Sequence, residues 1–130
     1  MSNVFRPGGV SYLRIPAADI SQAAGFYAEV FGWRVSHERG SFEDATGHVI
    51  GHFIADLPVA GKAGVLPYVF VERLDETLEK AVAHGAEVAT APYPEGNLRV
   101  ATILDPAGNV IGIWERSEPS RESGDASTAT

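Results

Sequence analysis

The chain contains no cysteine. That excludes disulfide staples, zinc–thiolate sites and thiol nucleophiles, and it leaves the redox compartment open. No apolar run approaches the ~18 residues a spanning helix needs, and the opening MSNVFRPGG has no signal-like apolar core. A cytoplasmic protein with no membrane partner is therefore expected. Basic residues are also scarce, 10 Lys+Arg against 17 Asp+Glu, for a net charge of −7. Nucleic acid is an unsuitable partner, because binding phosphates needs a basic surface and no basic cluster is present. The sequence has neither a Ser-His-Asp pattern nor an HExxH motif.

What remains is an apolar chain of modest size. Its 130 residues, 45% of them hydrophobic, suit one ordinary domain or two very small modules sharing a core. The last fourteen residues, SEPSRESGDASTAT, hold three acidic groups and one arginine and nothing bulky. They read as a solvated, disordered tail.

The most legible stretch is Asn97–Glu115, NLRVATILDPAGNVIGIWE. Two strand-like runs, Leu98–Leu104 and Val110–Glu115, flank Asp105-Pro106-Ala107-Gly108-Asn109. Pro106 presets φ, and Gly108 and Asn109 tolerate positive φ, so the stretch predicts a β-hairpin. In the second strand Val110, Gly112 and Trp114 share one side, and Ile111, Ile113 and Glu115 the other. A mid-strand glycine packs nothing itself and marks a place where something approaches the backbone.

Earlier in the chain, Gly9–Ile15 alternates as a strand, with Val10, Tyr12 and Arg14 on one face, and Pro16 ends it. Asp19 stands as N-cap to a helix whose stripe is Ile20, Ala23, Ala24, Tyr27 and Phe31, and Gly32 is its C′ residue. Strands are expected at Trp33–His37, Ser41–Ala45 and His48–Ala55. In the last of these, Val49, Gly51 and Phe53 share one face, and Ile50, His52 and Ile54 the other. The second half repeats this grammar: a strand at Leu66–Val71, an amphipathic helix at Leu74–His84 stopped by Gly85, a strand at Ala86–Ala89, a loop at Pro92–Gly96, and the hairpin. Ile15 matches Val69 and Ile20 matches Leu74. Val49-Ile50-Gly51 recurs as Val110-Ile111-Gly112. The halves read as two βαβββ units: an arm at 1–8, a first module at 9–60, a second at 61–116 and the tail at 117–130.

Three segments carry a family resemblance: SYLRIPAADISQAAGFYAEVFGWRV at 11–35, VERLDETLEKAVAHGAEV at 71–88 and DPAGNVIGIWE at 105–115. Together the FYxxxFGW and DPxGN patterns resemble the vicinal oxygen chelate superfamily, the glyoxalase/bleomycin-resistance/dioxygenase group. The resemblance implies an α+β fold in which two βαβββ modules form a paired, curved mixed sheet around a cleft, helices outside. It also implies a homodimer and, in catalytic members, a divalent metal held by the first and last strands of each module. Those positions fall here on Tyr12, Leu66, Gly51 and Gly112, which departs from the chelating pattern, so no metal and no other cofactor is expected.

On this strand assignment the cleft is lined by Tyr12, Arg14, Phe53, Tyr68, Phe70 and Trp114, with Gly51 and Gly112 as close-approach positions. Aromatic walls and one arginine suit a small aromatic or amphipathic organic molecule, Arg14 meeting a carboxylate. Glu43 or Asp44 is the candidate ion partner of Arg14. His52 reads as a core or helix-facing histidine, and His37 and His84 as structural or surface residues; His48 and His52, four apart on a strand, are about 13 Å from each other and cannot share one ion. Two other functions stay open. One is a lyase, isomerase, hydrolase or dioxygenase using a metal or Tyr12, Tyr68 or His37 as acid or base. The other is a structural partner for a second protein. Whether the chain is an enzyme is undecided at this level.

Overall fold

In a computed structural model, residues 3–61 and 64–117 are described, and each half folds into the same unit. The first half contains β1 (Tyr12–Pro16), α1 (Ile20–Phe31), β2 (Arg34–Val35), β3 (Ser41–Glu43) and β4 (Ile50–Ile54). The second contains β5 (Tyr68–Phe70), α2 (Leu74–Ala83), β6 (Glu87–Glu95), β7 (Leu98–Leu104) and β8 (Val110–Arg116). Their sheets, A and B, have strand orders β1-β4-β3-β2 and β5-β8-β7-β6. In each, the first strand runs parallel to the last and the other pairs are antiparallel. This is the expected α+β architecture of two mixed sheets, each covered by one helix. All of the expected tail except Ser117 lies outside the described residues.

Local chemistry accounts for the helix limits. Asp19 accepts from Gln22 N at 3.0 Å, and Gly32, at φ 74°, sends its N–H to Ala28 O. Helix α2 has no such cap, because Arg73 offers none. Instead Glu115, on β8, accepts from Leu74 N at 2.7 Å while Arg99 holds its other oxygen at 2.9 Å. Glu115 therefore does point to the helix side, with Ile111 and Ile113.

Strand β6 departs from expectation. Instead of four residues and a loop it is a nine-residue strand containing Pro92 and Pro94. It lies at the edge of sheet B, where a missing N–H breaks no ladder on the outer side. Register shifts between Val88 and Thr90 and between Thr90 and Tyr93 mark its irregularities. Strand β2 is shorter than expected, because Ser36 turns the chain: its Oγ accepts from Arg39 N, and its carbonyl from Gly40 N.

The interior is one cluster drawn from both halves. Ala23, Ala24, Phe26 and Tyr27 of α1 join Ile15, Phe42 and Phe53 on one side, and Leu74, Leu78, Ile103, Ile111 and Ile113 on the other. Between the halves runs a buried hydrogen bond, from Tyr27 Oη to Asp105 Oδ2 at 2.8 Å. Asp105 also accepts from Ala107 N, Asn109 N and Asn109 Nδ2, and that amide reaches back to Pro16 O at 2.7 Å. The DPAGN turn is thus both a hairpin and a clasp.

Burial, and then the adjacent Asp105 carboxylate, push the Tyr27 hydroxyl well above its ordinary pKa. The folded chain keeps this proton at pH values where an unfolded tyrosine loses it, so the contribution is whole below the unfolded value and shrinks as pH rises above about 10. Tyr27→Phe should destabilise the fold by about 1–3 kcal/mol at neutral pH in urea titrations. It should also remove one component of the alkaline loss of stability. A variant with unchanged stability at neutral pH would show that the clasp contributes nothing.

Candidate functional site

Register decides which side chains share a face. In sheet A, Ile15 turns into the core, so Tyr12 and Arg14 take the opposite, open face. Tyr12 lies beside Ile50, and Arg14 beside His52. Across the next strand His52 lies beside Ser41 and Ile50 beside Glu43, which is paired in register with Arg34. Tyr12 Oη is 2.8 Å from His52 Nδ1, and Arg34 and Glu43 form a salt bridge at 2.9 Å. Tyr12, Arg34, Ser41, Glu43, Ile50 and His52 line a shallow groove of about 400 Å³. It sets a hydroxyl–imidazole pair and an arginine–glutamate pair along one groove.

Sheet B presents a different surface. Tyr68 lies beside Gly112 and Phe70 beside Trp114, while Ile111 and Ile113 face the core. The Phe70 and Trp114 rings meet edge to face at 5.0 Å. Tyr68 and Phe70 remain 47% and 48% exposed. With Glu95, Leu98 and Val100, Tyr68 and Trp114 line a second groove of about 290 Å³. This face is aromatic at its centre, with Glu95 and Arg116 flanking Leu98 at one end.

The expected lining set therefore divides. Tyr12 and Arg14 stand on one sheet, Tyr68, Phe70 and Trp114 on another, and Phe53 on neither open face. Phe53 is buried, its ring 5.5 Å from Tyr27 and 4.9 Å from Phe42. Gly51 shares that inner side, under the Phe42 ring and against the Leu13 carbonyl. Gly112 is on the open face as expected, and what approaches it is the ring of Tyr68. His52 is the converse correction, an open-face residue rather than a core or helix-facing one. The candidate partners of Arg14 are engaged elsewhere: Glu43 with Arg34, and Asp44 with Thr46, Gly47 and Val49. Arg14 is exposed and forms no salt bridge with a described residue.

The cause is a one-residue slip. Helices α1 and α2 begin at Ile20 and Leu74, an offset of 54, which matches Arg14 to Tyr68. Their strand neighbours are His52 and Gly112, an offset of 60. The Val-Ile-Gly identity implied 61, and a slip of one sends every side chain to the other face.

The Glyoxalase/Bleomycin resistance protein/Dioxygenase superfamily profile matches residues 9–113. The chain belongs to this superfamily. It is 28% identical to CFP32 of Mycobacterium tuberculosis, whose name marks it as a candidate glyoxylase, over 85% of this chain and 47% of that protein. The chain thus spans about half the length of that relative. Among solved structures, a superfamily enzyme from Burkholderia phytofirmans is 24% identical with a TM-score of 0.65, covering 82% of this chain and 97% of that one. A glyoxalase family protein from Bacillus cereus is 18% identical with a TM-score of 0.69, covering 87% and 97%. These likenesses show the fold.

The residues present do not fit the superfamily's divalent metal. Leu66 and Gly112 offer no side-chain donor. The corrected register puts His52, not Gly51, in the position equivalent to Gly112, and that imidazole is the one strong donor of the set, its Nδ1 engaged with the Tyr12 hydroxyl. Among the described residues no group of three or more His, Asp or Glu side chains is placed to hold an ion.

The two mid-strand glycines should respond differently to a methyl group. In Gly51→Ala the new Cβ meets backbone, so the strand itself must shift. A loss of about 1–3 kcal/mol or more is expected in urea titrations. In Gly112→Ala it meets the ring of half-exposed Tyr68, which can swing outward, so the cost should be smaller and the open face should change shape. Equal losses at the two sites would contradict this assignment of faces.

Proposed function

We propose that the chain is a cytoplasmic small-molecule-binding member of the superfamily, working as a homodimer that takes a small aromatic or amphipathic organic compound between its open sheet faces. The observation that carries this reading is the half-exposed aromatic set on sheet B, Tyr68 and Phe70 beside Trp114. Three neighbouring rings offer flat apolar area to a planar ligand, and rings covered in this way dominate binding energetics.

The dimer follows from the sheet edges. Strand β1 bonds to β4 through its odd residues, as Ile50 N to Ser11 O and Ala17 N to Ile54 O indicate. Strand β5 bonds to β8 in the same way, with Gly112 N to Pro67 O and Val71 N to Trp114 O. The backbone groups of Tyr12, Arg14, Tyr68 and Phe70 consequently face the unpaired edges of the two sheets. A second copy docked there would bring the polar face of one chain next to the aromatic face of another, completing a cleft that a single chain divides.

A second reading, an acid–base isomerase, lyase or hydrolase, has one observation in its favour: the Tyr12–His52 hydrogen bond on the same open surface.

Native mass spectrometry should find a dimer. In a Trp33→Phe background, where Trp114 is the remaining tryptophan, flat aromatic compounds should quench its fluorescence saturably. Phe70→Ala should weaken that binding about tenfold or more. A monomer whose Trp114 emission ignores every compound in a panel of aromatic acids, quinones and peptide antibiotics would overturn the proposal. Turnover of a panel member, abolished in Tyr12→Phe, would favour the second reading.

A further inference from the structure

Resting on the reading of the open faces as the ligand surface, we infer that Arg14, His52 and Ser41 form a recognition row for the carboxylate of an aromatic acid, with Tyr12 as the positioning residue that fixes His52 as a donor. The three side chains occupy one register row across β1, β4 and β3. Neighbours in such a row are about 5 Å apart, close enough for one planar group to touch two of them.

The tautomer of His52 follows from its partner. A phenol O–H is a strong donor and its oxygen a weak acceptor, so the 2.8 Å contact is best made by Tyr12 donating to Nδ1. The proton of the neutral ring then sits on Nε2, because the bond made by one ring nitrogen determines the state of the other. Nε2 has no hydrogen-bond partner among the described residues. It is a fixed, unspent donor on a surface that lines a groove.

Charge points to an anion, and to a single one. Of the two arginines on this face, Arg34 is already matched by Glu43 at 2.9 Å. Arg14, in register with His52, has no salt bridge to a described residue. Within the groove the one carboxylate, Glu43, is offset by Arg34, and the unmatched positive charge is that of Arg14, which stands next to the groove, beside His52 in register. A monoanionic carboxylate, an acceptor at both oxygens, suits a guanidinium on one side and an imidazole N–H with a serine hydroxyl on the other. A dianion would leave one charge unmatched beside Glu43.

The test needs no knowledge of the natural ligand. Long-range proton–nitrogen NMR of the full chain labelled on histidine, at about pH 8 where an ordinary imidazole is neutral, should show His52 protonated on Nε2. Tyr12→Phe should shift the Nδ1 resonance by removing its donor. Benzoate should perturb the Nε2 resonance saturably, and benzamide, its neutral analogue, should bind at least about tenfold more weakly. Arg14→Gln, at an exposed position where the fold does not depend on it, should lose about tenfold for benzoate and nothing for benzamide. His52 protonated on Nδ1 would overturn the inference. So would benzoate and benzamide binding equally while quenching Trp114, an outcome that leaves the aromatic reading standing. If neither compound bound and no other aromatic compound quenched Trp114, both readings would fall.

Discussion

The structure depends on the hydrogen bond between Tyr27 and Asp105. Its two ends come from the two most legible motifs in the chain, FYxxxFGW and DPAGN, which lie in different halves. A carboxylate at the base of a hairpin is easily satisfied by its own turn, and Asp105 takes two such bonds from backbone N–H groups. The additional bond to Tyr27 joins the halves. With Asn109 donating to Pro16 O, it fixes the second sheet against the first at the point where β1 ends. Each of these bonds is worth about 1–3 kcal/mol, modest beside the apolar burial around them. Their importance is directional: apolar contact holds the two halves together, and the clasp determines how they sit.

That fixed geometry explains where the open surfaces lie. The helix-facing sides of both sheets are consumed in one shared core. The sides left open are the outward ones, bearing Tyr12, Arg14 and His52 on one sheet and Tyr68, Phe70 and Trp114 on the other. The repeated unit supplies the scaffold twice, yet its two open faces have diverged. In sheet A the row opposite α1 is filled with groups that donate and ionise. In sheet B the equivalent positions carry rings laid over a glycine.

Much of the fold was legible in the sequence because its signals were local and unambiguous. Asp19 and Gly32 bound a helix with an apolar stripe, and Pro106 and Gly108 turn a hairpin whose second strand alternates cleanly. The open face of sheet B was legible for the same reason: Ile111 and Ile113 had to face inward, so Gly112 and Trp114 had to face outward. Strand β4 gave no such instruction. Both faces of HVIGHFIA are apolar apart from His48 and His52, which share one of them, and the Val-Ile-Gly identity with β8 tipped the choice by one residue. The polar ring of His52 was the better guide, since an imidazole set against helix α1 would have needed a buried partner. The continuation of β6 through Pro92 and Pro94 was missed for a different reason. Its prolines argue against a strand in general, and only its place at the sheet edge, a tertiary fact, makes them harmless.

The glycines show how one residue type can serve opposite ends in the same fold. Gly51 lets the Phe42 ring lie flat against β4 on the buried side, where it joins the stack of Trp33, Tyr27 and Phe53. That space is spent on stability. Gly112 lets the Tyr68 ring lie against β8 on the open side, where nearly half of the residue stays in water. A tyrosine held flat and half bare contributes little to the core it does not enter, since its apolar area is only partly removed from solvent. The ring already lies against the strand, and a pre-placed ring gives up less freedom when a planar molecule covers it than one that must first be brought there. The same absence of a side chain thus tightens the interior in one module and prepares a surface in the other, and the difference rests on a single residue of register.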